Sequence, residues 1–272
     1  MTIMPCVNSR QQEYFTILSY LPNIAPSIGH MSITQPPDER SVALVTPPSR
    51  VDYAGGIEAV VADSSETAIE TGRFDPRNQL PDPDRFDVVI VTGSYARIGD
   101  DSDWIEGLQC YIRKRVAARQ PTAGVCFGHQ LVASALGGCV EALPEGEAGY
   151  RQVELTENGR KHPLFEGVPD QFETFLWHLD HVTSVPDGAT VLARRDETIQ
   201  SFALQDAPVV GIQFHPEVTP RVAHELAAQA DASTPSGDAI VETIPNEPAE
   251  PVRVSQQFYR NLVAAPRLGD IQ

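Results

Sequence analysis

A thiol, an imidazole and a carboxylate stand out by type and spacing. Cys126 lies in Thr122-Ala-Gly-Val-Cys-Phe-Gly-His-Gln-Leu131, with Gly124 and Gly128 two residues away on either side. A small apolar run, Ala123 to Val125, leads into it, and Gln130 to Leu136 reads as a helix closed by Gly137-Gly138. Strand, sharp turn and helix, with sulfur at the turn, are the mechanics of a nucleophile elbow. Glycines there let strand and helix approach where a Cβ would clash. The helix N-terminus favours the thiolate. A cysteine among Ala, Gly and Val is often only a small core residue, but the paired glycines favour chemistry. Far downstream, His215-Pro216-Glu217 follows the apolar run Val209 to Phe214. In an extended segment residues i and i+2 face one side, and Pro216 stiffens the link. Glu217 is then placed to accept from one ring nitrogen of His215, leaving the other to act as general base and acid. Such a set suits covalent attack on an amide carbon, split into thioester formation and thioester hydrolysis.

The patterns G-x-C-x-G-x-Q and F-H-P-E together resemble the class I (triad-type) glutamine amidotransferases, over residues 41–230. Thr92-Gly93-Ser94 and Trp177-His-Leu-Asp180 fit the same family. The resemblance is strongest to stand-alone members related to the glutaminase part of GMP synthase. It implies an α/β fold: an open, mostly parallel, flavodoxin-like sheet with flanking helices and an antiparallel addition. It implies hydrolysis of glutamine, with ammonia passed to a separate synthase or acceptor subunit, and no cofactor. The catalytic residues would be Cys126, His215 and Glu217. The oxyanion would meet the N–H groups of Phe127 and Ser94, with Gly93 permitting the turn. Gln130, His178 and Asp180 would shape the glutamine pocket. The chain departs from the family at Ser94 and Leu179, where many relatives carry glycine. Two other readings keep the same motifs: a γ-glutamyl amide or peptide hydrolase, and a non-catalytic regulatory subunit that needs a partner. The first changes only the leaving group, and the second follows from the departure at Ser94.

The elements that must hold these groups are legible in outline. Ser41 to Thr46 and Phe86 to Thr92 are short apolar runs of the kind buried in a parallel sheet. Tyr53 to Ala62 and Trp104 to Ala118 read as helices, the second capped by Asp101-Ser102-Asp103. Asp63 to Asp84 is rich in turn formers and yields no element. Short strands are expected at 139–143, 152–155, 172–177, 190–193, 199–204 and 209–214, and a helix from Pro220 to Ala230. Strands alternating with helices argue an open α/β sheet with ligands at strand C-termini, and the later strands without helices argue an antiparallel addition. Residues 1–40 are poorly patterned and read as an N-terminal extension, with Met31 an alternative start. Residues 231–251 are small, acidic and carry four prolines, as expected of a linker. A C-terminal helix and tail, 252–272, follow, with Phe258 and Leu262 on one face.

Composition sets the outer limits. The net charge is −17, and of 20 basic residues only Lys114 and Lys161 are lysines. So acidic a surface repels nucleic acid and anionic membrane, and it resembles the surface of proteins adapted to high salt. The four cysteines, Cys6, Cys110, Cys126 and Cys139, show no C-x-x-C spacing and no histidine cluster, which argues against a disulfide framework or a metal site. Free thiols suit a reducing cytoplasm. No apolar run is long enough to span a membrane, and no secretory signal pattern opens the chain. No phosphate-binding G-x-x-x-x-G-K-[ST] occurs.

Overall fold

The computed structural model describes residues 40–64, 69–230, 236–246 and 249–264. The N-terminal extension expected up to residue 40 lies, but for Arg40, outside them. Buried β-branched runs make the centre of the sheet. Strands β1 (Arg40–Val45), β3 (Val88–Val91) and β4 (Thr122–Val125) pair in parallel, and their inner residues are almost wholly buried. Strand β2 (Ile69–Phe74) pairs with β1 on one side, and β9 (Val209–Ile212) pairs with β4 on the other. The parallel order is β2-β1-β3-β4-β9, the flavodoxin-like order. Beyond β9 the sheet continues antiparallel through β8 (Thr198–Leu204), β7 (Ala189–Arg195), β5 (Cys139–Leu155) and β6 (Gln171–Ser184), with the short helix α4 (Glu157–Lys161) between β5 and β6. The α/β fold with an antiparallel addition is thus as expected.

Four local expectations are corrected. The stretch given no element contains β2, an edge strand whose half-exposed Ile-Glu-Thr-Gly-Arg-Phe carries no continuous apolar run. The strands expected at 139–143 and 152–155 are one strand, β5. Its register shifts between Ala142 and Glu147, across Pro144 and Gly146, let it bend without ending. Within the expected linker, α6 (Gly237–Val241) forms after α5 (Pro220–Ala227), because Ile240 is buried and Thr243 Oγ1 accepts the Tyr150 N–H at 2.8 Å. The last helix, α7 (Ala249–Ala264), starts earlier than expected, with Pro251 in its first turn, where a missing N–H costs little.

Helices cover both faces. On one, α2 (Asp103–Ala117) and α3 (Phe127–Ala135) bury Ile105, Leu108, Ile112, Phe127 and Leu131 against β3, β4 and β8. On the other, α1 (Tyr53–Ser64) lies beside α7, whose Val254, Phe258, Tyr259, Leu262 and Val263 all join the main core. Phe258 packs against Phe165 and Phe214, with ring centroids 5.9 Å from each, and Asn261 Nδ2 donates to Leu164 O at 3.0 Å. The tail helix is therefore a core element. Phe258→Ala should cost about 3–5 kcal/mol of unfolding free energy in urea melts. A loss within about 0.5 kcal/mol, typical of exposed positions, would contradict its burial.

Candidate active site

The turn after β4 places the sulfur. Cys126 N–H donates to Ile212 O at 2.8 Å, extending the β4–β9 ladder by one residue. The chain then turns abruptly into α3, with Cys126 at φ 52° and ψ −104°. A non-glycine residue held there is strained, and its surroundings must enforce it. They do so by close packing. A Cβ on Gly124 would lie 2.2 Å from Gly128 O, and one on Gly128 would lie 2.2 Å from Val91 O. Cys126 sits at the cap position of α3 with no side-chain cap bond, so its sulfur is left to the cleft. Sγ leans toward Trp177 O at 3.5 Å.

The imidazole arrives from the other half of the sheet. After β9 ends, His215 N–H donates to Phe175 O of β6 at 2.8 Å, an isolated bridge that fixes the backbone there. His215 Nδ1 lies 2.8 Å from Glu217 Oε1 across Pro216, and both side chains are buried. The carboxylate accepts, so Nδ1 carries the hydrogen. The Tyr53 ring stacks on His215 at 4.6 Å between centroids, inclined 19°. Gly93 faces the pair, and a Cβ there would meet His215 and Tyr53 at 2.9 Å. His215 Nε2 is buried with no well-aligned partner among the described residues. The Cys126 sulfur is close enough to act on the ring's charge. Burial opposes the imidazolium, yet the Cys126 sulfur and the Glu217 carboxylate outweigh it and hold the His215 pKa up at about 10. Glu217 Oε2 accepts from Tyr259 Oη at 2.9 Å.

Cys126 opens onto a cleft of about 250 Å³, with Tyr53, Ser94, Arg97, Gln130, Trp177 and Asp180 among its walls, while His215 and Glu217 are buried beside it. Gln130 Nε2 donates to Asp180 O at 2.8 Å and lies 3.1 Å from Gln213 Oε1, so both amide hydrogens are engaged inside the protein and Oε1 is left for a ligand. His178 borders the cleft, but its ring is turned inward: Nδ1 is 3.0 Å from Asp180 O and Nε2 is 2.9 Å from Glu147 Oε2. Burial opposes the Glu147 charge, while His178, Arg195 and Gln200 more than offset it and keep this carboxylate ionised. The Asp180 carboxylate is clasped by the Arg97 guanidinium, with Nε to Oδ2 at 2.8 Å. Ser94 Oγ donates to Pro48 O at 2.6 Å and accepts from Ala96 N–H at 3.0 Å, tying the loop after β3 to the loop after β1. Phe127 opens α3, so its N–H has no intrahelical acceptor. His129, also on α3, is fully buried against Phe202, and burial pushes its pKa down to about 3, so it stays neutral and apart from the site.

The structure lines one cleft with Cys126, Ser94, Gln130, His178 and Asp180, and it buries His215 and Glu217 beside that cleft, with Gly93 against the His215 ring. Sequence reasoning missed Tyr53, Arg97, Glu147 and Tyr259. Each is an ordinary residue in its own segment and acquires its place only through pairing over long sequence distances. Among the described residues, no cluster of side chains fit for a metal occurs, and no helix is long and apolar enough to cross a membrane.

Comparisons with known proteins identify the family and the fold. The family model "Glutamine amidotransferase class-I" matches residues 58–230. The glutamine amidotransferase-like protein chyE of Penicillium rubens is 27% identical over 199 residues, covering 70% of this chain and 82% of that one. One subunit of the glutamine-hydrolysing GMP synthase of Ignicoccus hospitalis is 29% identical, covering 62% and 87%. A gamma-glutamyl-L-1-hydroxyisopropylamide hydrolase of a Pseudomonas species is 33% identical, covering 49% and 48%. A glutamine amidotransferase of Methylobacillus flagellatus shares the fold at a TM-score of 0.67 and 24% identity, covering 84% and 94%.

Folding is linked to the proton on His215. The group titrates at about 10 when folded against 6.5 as its ordinary value. Its contribution to stability is therefore complete below pH 6.5 and fades as pH rises toward 10. The stability gap between the wild type and His215→Gln, read from urea melts, should narrow over that interval. A gap independent of pH would contradict the pairing with Cys126 and Glu217.

Proposed function

Since the chain belongs to the class I glutamine amidotransferase family, we propose that it hydrolyses the side-chain amide of glutamine through Cys126, His215 and Glu217. The supporting observation is the strained turn at Cys126, facing a buried His215 that Glu217 holds by its other nitrogen. Sγ attacks the amide carbon, and the thiol proton is carried by His215 to the departing nitrogen. Ammonia leaves and a thioester remains. Water, deprotonated by His215, then attacks the thioester; glutamate is released and the thiol is restored. In both steps the oxyanion is held by the N–H groups of Phe127 and Ser94, each such donor being worth roughly 3–4 kcal/mol of barrier. Gln130 Oε1 and the Arg97–Asp180 pair face the rest of the substrate. Ammonia passes to an acceptor on another chain, a synthase partner of the kind that the GMP synthase relative from Ignicoccus hospitalis implies.

A second reading has its own support. The Pseudomonas relative is named for hydrolysis of a γ-glutamyl amide, and the same residues accept any γ-glutamyl amide whose leaving group fits the cleft.

Glutamate and ammonia release from glutamine by the purified chain, in concentrated salt because of the net charge of −17, is the direct test. Release by the wild type is expected, with a fall of at least about 10³-fold in Cys126→Ser. Turnover retained by Cys126→Ser would remove the nucleophile. Faster hydrolysis of a γ-glutamyl alkylamide than of glutamine would select the second reading.

A further inference from the structure

Glu217 is a carboxylate 2% exposed, and a buried carboxylate is costly unless both oxygens find donors. Oε1 has the His215 Nδ1–H. Oε2 has Tyr259 Oη at 2.9 Å, from a side chain with no exposed surface. Tyr259 sits on α7, beyond residue 230 where the match to the family model ends. We propose that Tyr259 is a positioning residue for the hydrolysis, holding Glu217 and through it His215, so that the C-terminal helix completes the triad. This rests on the triad reading above.

The geometry supports the assignment in three ways. Phe258 and Leu262 anchor α7 in the core on either side of Tyr259, so the hydroxyl arrives on a fixed element. Burial and the Glu217 charge push the tyrosine well above its ordinary pKa of 10, so it remains a donor wherever the enzyme works. With Oε2 engaged, the carboxylate cannot swing away, and Oε1 stays aimed at Nδ1. That fixes the tautomer whose Nε2 can take the Cys126 proton.

The test is a double-mutant cycle of Tyr259→Phe and Glu217→Gln in the full chain. Tyr259→Phe keeps the ring that packs in the core and removes only the donor; near-ultraviolet circular dichroism verifies that the fold is kept. Two rates are read. One is kcat and KM on glutamine or the γ-glutamyl amide. The other is alkylation of Cys126 by iodoacetamide, followed by mass spectrometry with Cys110 as internal reference, which needs no turnover. Tyr259→Phe should lower kcat and the Cys126 alkylation rate by about tenfold with KM unchanged. In the Glu217→Gln background the same substitution should change either rate less than about twofold, because the residues act as one unit. Equal losses in both backgrounds, or wild-type rates in Tyr259→Phe, would overturn the proposal. Wild-type kcat and alkylation in Glu217→Gln alone would overturn the triad reading itself, and this assignment with it.

Discussion

Strand β4, helix α3 and strand β3 meet at a spacing that admits only hydrogen atoms. The space where side chains would begin at Gly124 and Gly128 is filled by the carbonyl oxygens of Gly128 and Val91. Because these backbones touch, the chain has no room to turn gradually after Val125, and Cys126 takes a conformation that L residues avoid. The strain is held by hydrogen bonds on both sides, from Cys126 N–H to Ile212 O and from Gln130 N–H to Cys126 O. Everything reactive follows from this crossing. It lifts the sulfur to the C-terminal edge of the parallel strands, where Cys126 opens onto the cleft. The loop after β3 forms part of the cleft's wall.

The second requirement is a set of buried groups around one ring. His215 has Tyr53 on its face, Glu217 at Nδ1 and the sulfur of Cys126 near Nε2. Its backbone is pinned to Phe175, which belongs to the antiparallel extension. The parallel half thus supplies the thiol, and the junction of the two halves supplies the imidazole. Behind the cleft, a second polar set of Glu147, His178 and Gln200 carries the Asp180 carbonyl and, through it, Gln130. Two buried networks, one under each wall, keep the cleft from relaxing.

How much of this was legible in the sequence depended on whether the signal was local. The Gly-x-Cys-x-Gly spacing encodes a backbone crossing within five residues, and His-Pro-Glu encodes a side-chain pair within three, so both could be read directly. The apolar runs of β1, β3 and β4 declared buried parallel strands for the same reason. Strand β2 was invisible because an edge strand of alternating exposure has no continuous apolar run. The long β5 looked like two strands because Pro144 and Gly146 sit where it bends. Tyr53, Arg97 and Tyr259 carry no local mark. Their partners His215, Asp180 and Glu217 lie far along the chain, and a tyrosine in a helix looks the same whether it caps a carboxylate or merely fills a gap. Composition misled about residues 231–251, since small acidic residues and prolines did not prevent Ile240 and Thr243 from docking on β5.

The position of α7 also has a meaning in time. A ribosome delivers the Cys126 thiol first, then the His215 imidazole and the Glu217 carboxylate, and the Tyr259 hydroxyl after them. The helix that bears it must dock against α1, which emerges long before it and where Gln256 reaches Asp63. Among the described residues, the core is therefore completed when the last helix joins the first. A nascent molecule that has already folded its parallel sheet still exposes the apolar surface later covered by Phe258 and Leu262. Until that surface is covered, the molecule carries an apolar patch of the kind that makes partly folded chains prone to aggregate.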